Sequence, residues 1–187
     1  LTATSFNGIP FYSSGGNSMY THDVSGTEST AQYNTAYGFG AMDAITTGDF
    51  NTAIGLNAGT ALNTGANNTL VGASAGSSLN SGNRNTFIGY EAGKTVDNVA
   101  VGYATGSQIT TGVYNTLVGG QAGEGLTTGG ENVAIGLNAL RNEDTGNKNI
   151  AIGASALTAL NYDGDGYNTA VGYDAGKSVT TGRKNTL

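Results

Sequence analysis

The chain has no cysteine, no tryptophan and a single proline, Pro10, among its 187 residues. Without cysteine it can form neither a disulfide nor a thiolate metal site, so its stability must come from backbone pairing and packing. Only 11% of the residues are charged, against ~25% in an ordinary soluble domain. The net charge is -6 and the seven Lys and Arg residues are scattered, so we expect no nucleic acid or anionic membrane surface as a partner.

Long apolar runs are also missing. No run approaches the ~18 apolar residues of a membrane span, and Leu1 does not open a signal-like segment with a basic start and an apolar centre. We therefore expect no membrane insertion. Disorder is disfavoured as well, because Thr, Val and Ile recur at fixed places and the charge is low.

Glycine is abundant, with 32 residues, and much of it belongs to an internal repeat. Ten asparagines, here called the anchors, begin the repeats with spacings of 17, 17, 17, 13, 17, 17, 17, 19 and 17: Asn34, Asn51, Asn68, Asn85, Asn98, Asn115, Asn132, Asn149, Asn168 and Asn185. A glycine column lies four residues after the first nine anchors: Gly38, Gly55, Gly72, Gly89, Gly102, Gly119, Gly136, Gly153 and Gly172. The residue before each glycine is Tyr37, Ile54, Val71, Ile88, Val101, Val118, Ile135, Ile152 or Val171. A repeat of this length indicates one structural unit per period.

Each period reads as a strand of four or five residues, a small-residue corner, a second short strand and a Gly turn. The corner is Ala seven residues after the anchor, except at Thr105, and the second strand carries an apolar residue eleven after the anchor, except at Glu143. We interpret Glu143 as a place where the coil turns outward. The Gly, Thr and Val content excludes helix. The sequence therefore predicts an all-β, parallel β-solenoid (β-roll) of ~17-residue coils, on the order of 40 Å long at ~4.8 Å per coil.

Two regions follow from the repeat. Residues 1–33 lack it and are expected to form an irregular N-terminal cap or junction, whereas residues 34–187 are the tandem array, whose last coil, from Asn185, is incomplete. The coil from Asn85 lacks four residues and the coil from Asn149 gains two. Both changes fall in the same loop, so length variation should map to one edge of the rod.

The first strand of each coil has two apolar faces, because side chains alternate along a strand. Residues two after the anchor are Ala, Leu or Phe, and residues three after it are mainly Ile or Val. One face can fill the coil interior and the other needs a partner, most simply identical chains around a threefold axis. The glycine column lies on the same side as the Ala, Leu and Phe column and would permit backbones to approach closely. Which face points to the axis stays open.

Catalytic and metal-binding chemistry is sparse. The only histidine, His22, has no cysteine or serine constellation around it and is interpreted as a loop residue. Two carboxylate pairs, Glu143 with Asp144 and Asp163 with Asp165, could in principle cleave glycosides, but neighbours on a turn are weak support. We predict that the chain is not an enzyme, with no catalytic residue and no cofactor.

The long coil also contains a partial cation motif. Asn161, Asp163, Asp165 and Gly166 match the opening of a calcium loop, but Gly172 stands where the bidentate Glu should be. We favour a turn-rich insertion and predict no metal site. Possible recognition loops are marked by exposed-type residues that could stack on sugars or bind a partner, namely Tyr103, Tyr162, Asp163, Asp165 and Tyr167; the alternative, which we favour for the tyrosines, is that they cover the coil corners.

The segments Asn51–Gly59 (NTAIGLNAG) and Asn115–Gly123 (NTLVGGQAG), joined by Thr-Thr-Gly turns, resemble repeats in the tail fibres of phages of marine bacteria. They are also similar to the Asn-Ser-Val-Ala-Ile-Gly units of trimeric autotransporter adhesin heads, which are left-handed β-rolls in a threefold assembly. The resemblance implies a left-handed, homotrimeric fibre segment of a virion tail, extracellular, that takes part in host attachment.

The same resemblance implies other fibre or baseplate proteins, and a bacterial surface glycan or protein, as further partners. An adhesin head on the bacterial outer surface is the alternative. A carbohydrate-cleaving tailspike is a third hypothesis, which would require a catalytic carboxylate pair.

Overall fold

The computed structural model describes residues 2–6, 9–13, 17–21, 30–95 and 97–187. Within these ranges the chain forms strands and turns without a helix, and its strands form one sheet in sequence order. The strands are β1 (Thr2–Phe6), β2 (Ile9–Ser13), β3 (Met19–Tyr20), β4 (Thr35–Tyr37), β5 (Thr52–Ile54), β6 (Thr69–Val71), β7 (Thr86–Ile88), β8 (Val99–Val101), β9 (Thr116–Val118), β10 (Val133–Ile135), β11 (Ile150–Ile152) and β12 (Thr169–Val171).

Strands β3 to β12 run parallel, and each pairs with the strand of the next coil at the same repeat position, as Ala53 does with Leu70. The predicted all-β parallel solenoid of ~17-residue coils is confirmed. Strands β1 and β2 pair antiparallel and continue the same sheet at its N-terminal end. The left-handed coil and the boundary at residue 33 stay predictions.

Two details of the predicted coil are wrong. The regular strand has three residues, not four or five, and the residues around the second apolar position lie in turns instead of a second strand. Positive φ angles explain the difference. The glycine four after the anchor, with φ of 131–141°, ends the first strand, and the residues six and eight after the anchor are left-handed in coil after coil, as at Asn57 (φ 54°) and Leu140 (φ 52°). A strand cannot continue through that conformation.

The coil interior is filled by the column two residues after the anchor, which is fully buried throughout: Ala36, Ala53, Leu70, Phe87, Ala100, Leu117, Ala134, Ala151 and Ala170. The Ala corner and the residue eleven after the anchor complete this core; Val96, which belongs to the latter position, lies outside the described residues. The Ile and Val column therefore points outward, and the Ala, Leu and Phe column is the face that fills the coil interior.

Residue sizes inside a coil compensate for one another. Where the strand supplies Phe87, the residue eight after the anchor is Gly93, and a Cβ on that glycine would overlap the Phe87 ring. Where the strand supplies only Ala134, the same position is the fully buried Leu140. Where both positions are small, as at Ala53 and Gly59, a leucine of the next coil fills the space, so the narrow core is packed by exchange within and between coils.

The glycine column is required by the stacking of coils within one chain. Its nine members have φ between 131° and 141°, a region open essentially only to glycine. A Cβ on Gly119 would lie 2.6 Å from the carbonyl oxygen of Gly136 in the next coil. The close approach predicted for this column is therefore explained within a single chain and needs no second one.

Candidate functional surfaces

The anchor asparagines form a continuous buried ladder. The backbone N–H of each anchor donates to Oδ1 of the anchor before it, as from Asn51 to Asn34 at 2.8 Å, and the ladder passes without interruption through the short coil and the long coil. In the regular coils the Nδ2 group donates to a turn carbonyl, as from Asn51 to Gly65 at 2.8 Å. The anchors are thus structural: they satisfy buried backbone groups that a turn would otherwise leave unpaired.

The outer sheet face consists of the residues one, three and five after the first nine anchors. None of these residues is charged. The column one after the anchors is Thr35, Thr52, Thr69, Thr86, Val99, Thr116, Val133, Ile150 and Thr169; the column three after them is Tyr37, Ile54, Val71, Ile88, Val101, Val118, Ile135, Ile152 and Val171; and the column five after them is Phe39, Leu56, Ala73, Tyr90, Tyr103, Gly120, Leu137, Ala154 and Tyr173. Exposure reaches 41% at Ile54, 57% at Leu137 and 82% at Phe39. Nine coils at ~4.8 Å and five residues at ~3.3 Å give this face an area on the order of 700 Å².

One rim of this face is a column of left-handed residues immediately before the anchors. Neighbouring coils pair their side chains there. Tyr33 stacks on Phe50 with ring centroids 4.8 Å apart, and Arg84 forms an ion pair with Asp97 at 2.8 Å. The coil spacing places such side chains one above another, so the rim is a series of cross-coil pairs like those of any parallel sheet.

The candidate recognition residues fall into two groups. Tyr103 stacks on Tyr90 at 5.6 Å and belongs to the outer sheet face. In the long coil, Asp165 accepts from the ammonium of Lys148 at 2.8 Å and from the Tyr167 hydroxyl at 3.0 Å. The structure therefore brings Asp165 and Tyr167 together but does not join them to Tyr103.

Lys148 is the partner that sequence reasoning missed. Its ammonium lowers the pKa of Asp165 and lies 5.3 Å from the centroid of the Tyr167 ring. The signal was present, since Lys148 and Tyr167 both lie immediately before an anchor in successive coils, so stacking in register brings Lys148 next to Tyr167 and its neighbour Asp165. The pairing neutralises the carboxylate that a cation would need.

The remaining long-coil residues are also engaged. Asp163 accepts from the Thr145 hydroxyl at 2.6 Å, and Tyr162 packs partly against the core. Within the described part of the chain, no group of three or more His, Cys, Asp or Glu is arranged to hold a metal ion. His22 lies outside the described residues. No described helix is long and apolar enough to cross a membrane.

Glu143 does not turn outward, contrary to the sequence interpretation. Its side chain is fully buried, and its carboxylate accepts from the backbone N–H groups of Gly146 at 2.9 Å, Asp144 at 3.2 Å and Tyr162 at 3.3 Å. Burial raises the pKa of Glu143, and the three N–H donors offset part of that rise. The carboxylate is thus an internal hydrogen-bond acceptor, and its hydrogen bond to Tyr162 ties the coil from Asn132 to the long coil.

Comparison of the chain with protein-family models, with curated proteins and with solved structures finds no match.

Proposed function

We propose that this chain is a structural segment of a homotrimeric phage tail fibre that takes part in attaching the virion to a bacterial surface. The observation that carries the proposal is the outer sheet face, which is uncharged and extends along the whole array of coils. Localisation on an extracellular tail follows from that role, and the resemblance to tail-fibre repeats supports it.

The size of the outer sheet face favours contact with another protein. The largest apolar patch on a monomeric protein is ~300–600 Å², and a stable interface buries ~800 Å² on each partner. The outer sheet face, at on the order of 700 Å², exceeds the first value and approaches the second. Its β-branched and aromatic side chains are also the types that pack well between sheets.

The distribution of charge favours copies of the same chain as the occupant. One set of charged side chains recurs nine residues after the anchors, as at Lys94 and Arg141, away from the outer sheet face. A second set lies in the rim that borders the face, as at Arg84, Glu131 and Lys148. Three rods around an axis parallel to their length would bring equal coils to equal height. Each Ile or Val would then pack against its own equivalents, with both charged sets at the edges of the contact and accessible to water.

The mass of the purified rod tests the assembly. We expect three times the 18.7 kDa of one chain by light scattering after gel filtration. Ile135→Glu, on the outer sheet face, should reduce the mass to that of one chain while the β-type circular dichroism is retained, because a buried unpaired charge is costly. Thr128→Glu is the matched control, since Thr128 is exposed on the turn edge and should leave the trimer intact.

A folded wild-type rod with the mass of one chain would contradict the trimer. A trimer that tolerates Ile135→Glu as well as Thr128→Glu would show that the outer sheet face is not its contact.

The role in attachment is tested on intact virions. Antibodies raised against the rod should decorate the phage tail in electron micrographs and block adsorption to host cells. Decoration of the bacterial envelope instead would favour an adhesin head. The proposal includes no catalytic step, so incubation of host polysaccharide with the rod should leave its chain length unchanged; shortening would favour a carbohydrate-cleaving tailspike.

A further inference from the structure

A polar groove of about 430 Å³ crosses four successive coils beyond the corner of the rod. We call it the edge groove. Its walls include Gln108, Glu124, Arg141, Asn142, Asp144 and Asn161. All six carry hydrogen-bonding groups, and they lie nine to twelve residues after their anchors, outside the outer sheet face. A trimer built on that face would leave the edge groove open.

The side chain of Arg141, in the wall of the edge groove, is held in place by a network of hydrogen bonds. Glu124 Oε2 accepts from Arg141 Nε at 2.8 Å and from Gln121 Nε2 at 3.0 Å. An arginine has five N–H donors in a rigid planar fork, so engagement through Nε alone leaves the terminal nitrogens for a ligand. The side chain is 41% exposed. Arg141 is therefore oriented in advance and accessible.

The chemistry of the edge groove selects a class of ligand. The amides of Gln108, Asn142 and Asn161 each offer both donors and an acceptor, and Asp144, whose Oδ1 accepts from the Thr127 hydroxyl, adds a further acceptor in the groove wall. None of these groups suits an apolar ligand. The carboxylates of Glu124 and Asp144 outnumber the guanidinium of Arg141, and this negative balance disfavours an anionic ligand. A neutral molecule rich in hydroxyl groups can satisfy donors and acceptors together.

The spacing of the coils adds to this selection. Successive coils are separated by ~4.8 Å, which is close to the length of one sugar unit in an extended oligosaccharide. Gln108, Glu124, Arg141 and Asn161 come from four consecutive coils, so a glycan lying along the rod can meet one set of polar groups per sugar.

The end of the edge groove formed by Asp144 and Asn161 is fixed by the buried carboxylate of Glu143. The buried Glu143 carboxylate binds the backbone N–H groups of Asp144 and Tyr162, next to the side chains of Asp144 and Asn161 in the groove wall. Burying a carboxylate without a cation partner costs free energy. Departures from regular core chemistry are expected where a site must be held in one shape.

We propose that the edge groove binds a neutral oligosaccharide, with Arg141, Asn142, Gln108 and Asn161 hydrogen-bonding to its hydroxyl groups. The inference rests on the proposed role in host attachment, for which it names a ligand class. In a trimer three equivalent grooves would act together, so weak binding at each would give appreciable avidity.

The test measures binding of the purified rod to immobilised neutral oligosaccharides (glucans, galactans, mannans and N-acetylglucosamine oligomers) and to polygalacturonate as an acidic counterpart. We expect binding to at least one neutral glycan and at least a tenfold loss with Arg141→Met or Asn142→Ala, the size expected when a hydrogen-bonded group of a built site is removed. Arg84→Met is the matched control, because Arg84 is an exposed arginine paired with Asp97 outside the groove.

Binding to polygalacturonate alone, binding to no glycan of the panel, or equal binding by Arg141→Met and Arg84→Met would overturn the proposal. Failures of the two proposals are distinguishable. A rod that decorates virions but binds no glycan refutes only the groove, whereas a rod that binds a glycan yet is absent from virions refutes the phage role.

Discussion

Replacing Glu143 by leucine should destabilise the rod, although leucine occupies the equivalent position in both adjacent coils. The equivalent residues of the adjacent coils are the fully buried Leu126 and Leu160, and burying a leucine stabilises by ~1.5–3 kcal/mol. On core composition alone, Glu143→Leu would be a stabilising change.

Backbone hydrogen bonds reverse that expectation. In the coil from Asn34, the N–H groups of Thr46, Thr47 and Gly48 all donate to the Asn63 carbonyl of the next coil. In the coil from Asn132, two of the equivalent N–H groups, those of Asp144 and Gly146, donate to Glu143 instead, beside a coil that is two residues longer.

The carboxylate therefore accepts hydrogen bonds that a backbone carbonyl accepts in the regular coil, and it also accepts one from the Tyr162 N–H. Removing the acceptor costs ~1–3 kcal/mol for each of three N–H groups. The loss exceeds the gain, so we expect Glu143→Leu to lower the free energy of unfolding by on the order of 2–5 kcal/mol.

The pH dependence of Glu143→Gln provides a sharper measurement. Because burial raises the pKa of Glu143 above its ordinary value of 4.5, the folded state binds more protons than the unfolded state. The contribution of this group to stability must then fall as pH rises from the unfolded pKa through the folded one. We expect urea unfolding between pH 4.5 and about pH 8 to show the wild type losing stability relative to Glu143→Gln with a slope of up to ~1.4 kcal/mol per pH unit.

Leu126→Ala is the control for this series. It should lower the free energy of unfolding by ~2–5 kcal/mol by creating a cavity, with a difference from the wild type that does not change with pH. A stabilised Glu143→Leu rod would refute the acceptor role, and a Glu143→Gln rod whose stability follows the wild type at every pH would refute the raised pKa of Glu143.

Three further substitutions probe the coil itself, each measured by urea unfolding. Asn115→Ala should cost ~2–6 kcal/mol, because the Asn132 N–H loses its acceptor and the Gly129 carbonyl loses its donor; a loss below ~1 kcal/mol would contradict the ladder. Gly119→Ala should cost several times more than Gly120→Ala, since a Cβ on Gly119 meets the next coil's backbone, whereas one on Gly120 meets only a flexible leucine tip at 3.3 Å; equal tolerance would count against close stacking of the coils. Gly93→Ala should unfold at lower urea concentration because its methyl would overlap the Phe87 ring, and an unchanged midpoint would argue against the size exchange inside the coil.

The repeat was sufficient to predict the parallel solenoid, because identical coils of ~17 residues can stack in register in few other ways. The interior face could not be predicted in the same manner. Ala36 and Tyr37 begin two columns that are both mainly apolar, and hydrophobicity does not rank them. What decides between them is space. The coil is narrow, so this column holds alanine, or a larger residue opposite a glycine, as Phe87 lies opposite Gly93 and Leu117 opposite Gly123.

The second strand was mispredicted because an apolar residue at a fixed position does not reveal its backbone. Left-handed residues such as Asn57 turn that side of the coil into successive bends. Glu143 was misread for a related reason, since polarity in an apolar column suggested exposure. A longer neighbouring coil, visible in the sequence, was the sign that a side-chain acceptor was needed.

The candidate site was only partly predictable. Asp165 and Tyr167 were both named as candidates from the sequence, whereas their partner Lys148 was found only when the coils were stacked. The edge groove draws its residues from four coils, and no local motif marks it. Sites of this kind are spread through the sequence at one residue or a few per period.

The asparagine ladder has a consequence for how such a rod can change its dimensions. Because the ladder runs unbroken through coils of 13 and 19 residues, every coil advances the sheet by one strand spacing whatever its own length. The length of the rod therefore depends on the number of anchor asparagines and not on the number of residues. Insertions and deletions in the turns alter its girth and surface chemistry, and only the gain or loss of a whole coil makes it longer or shorter.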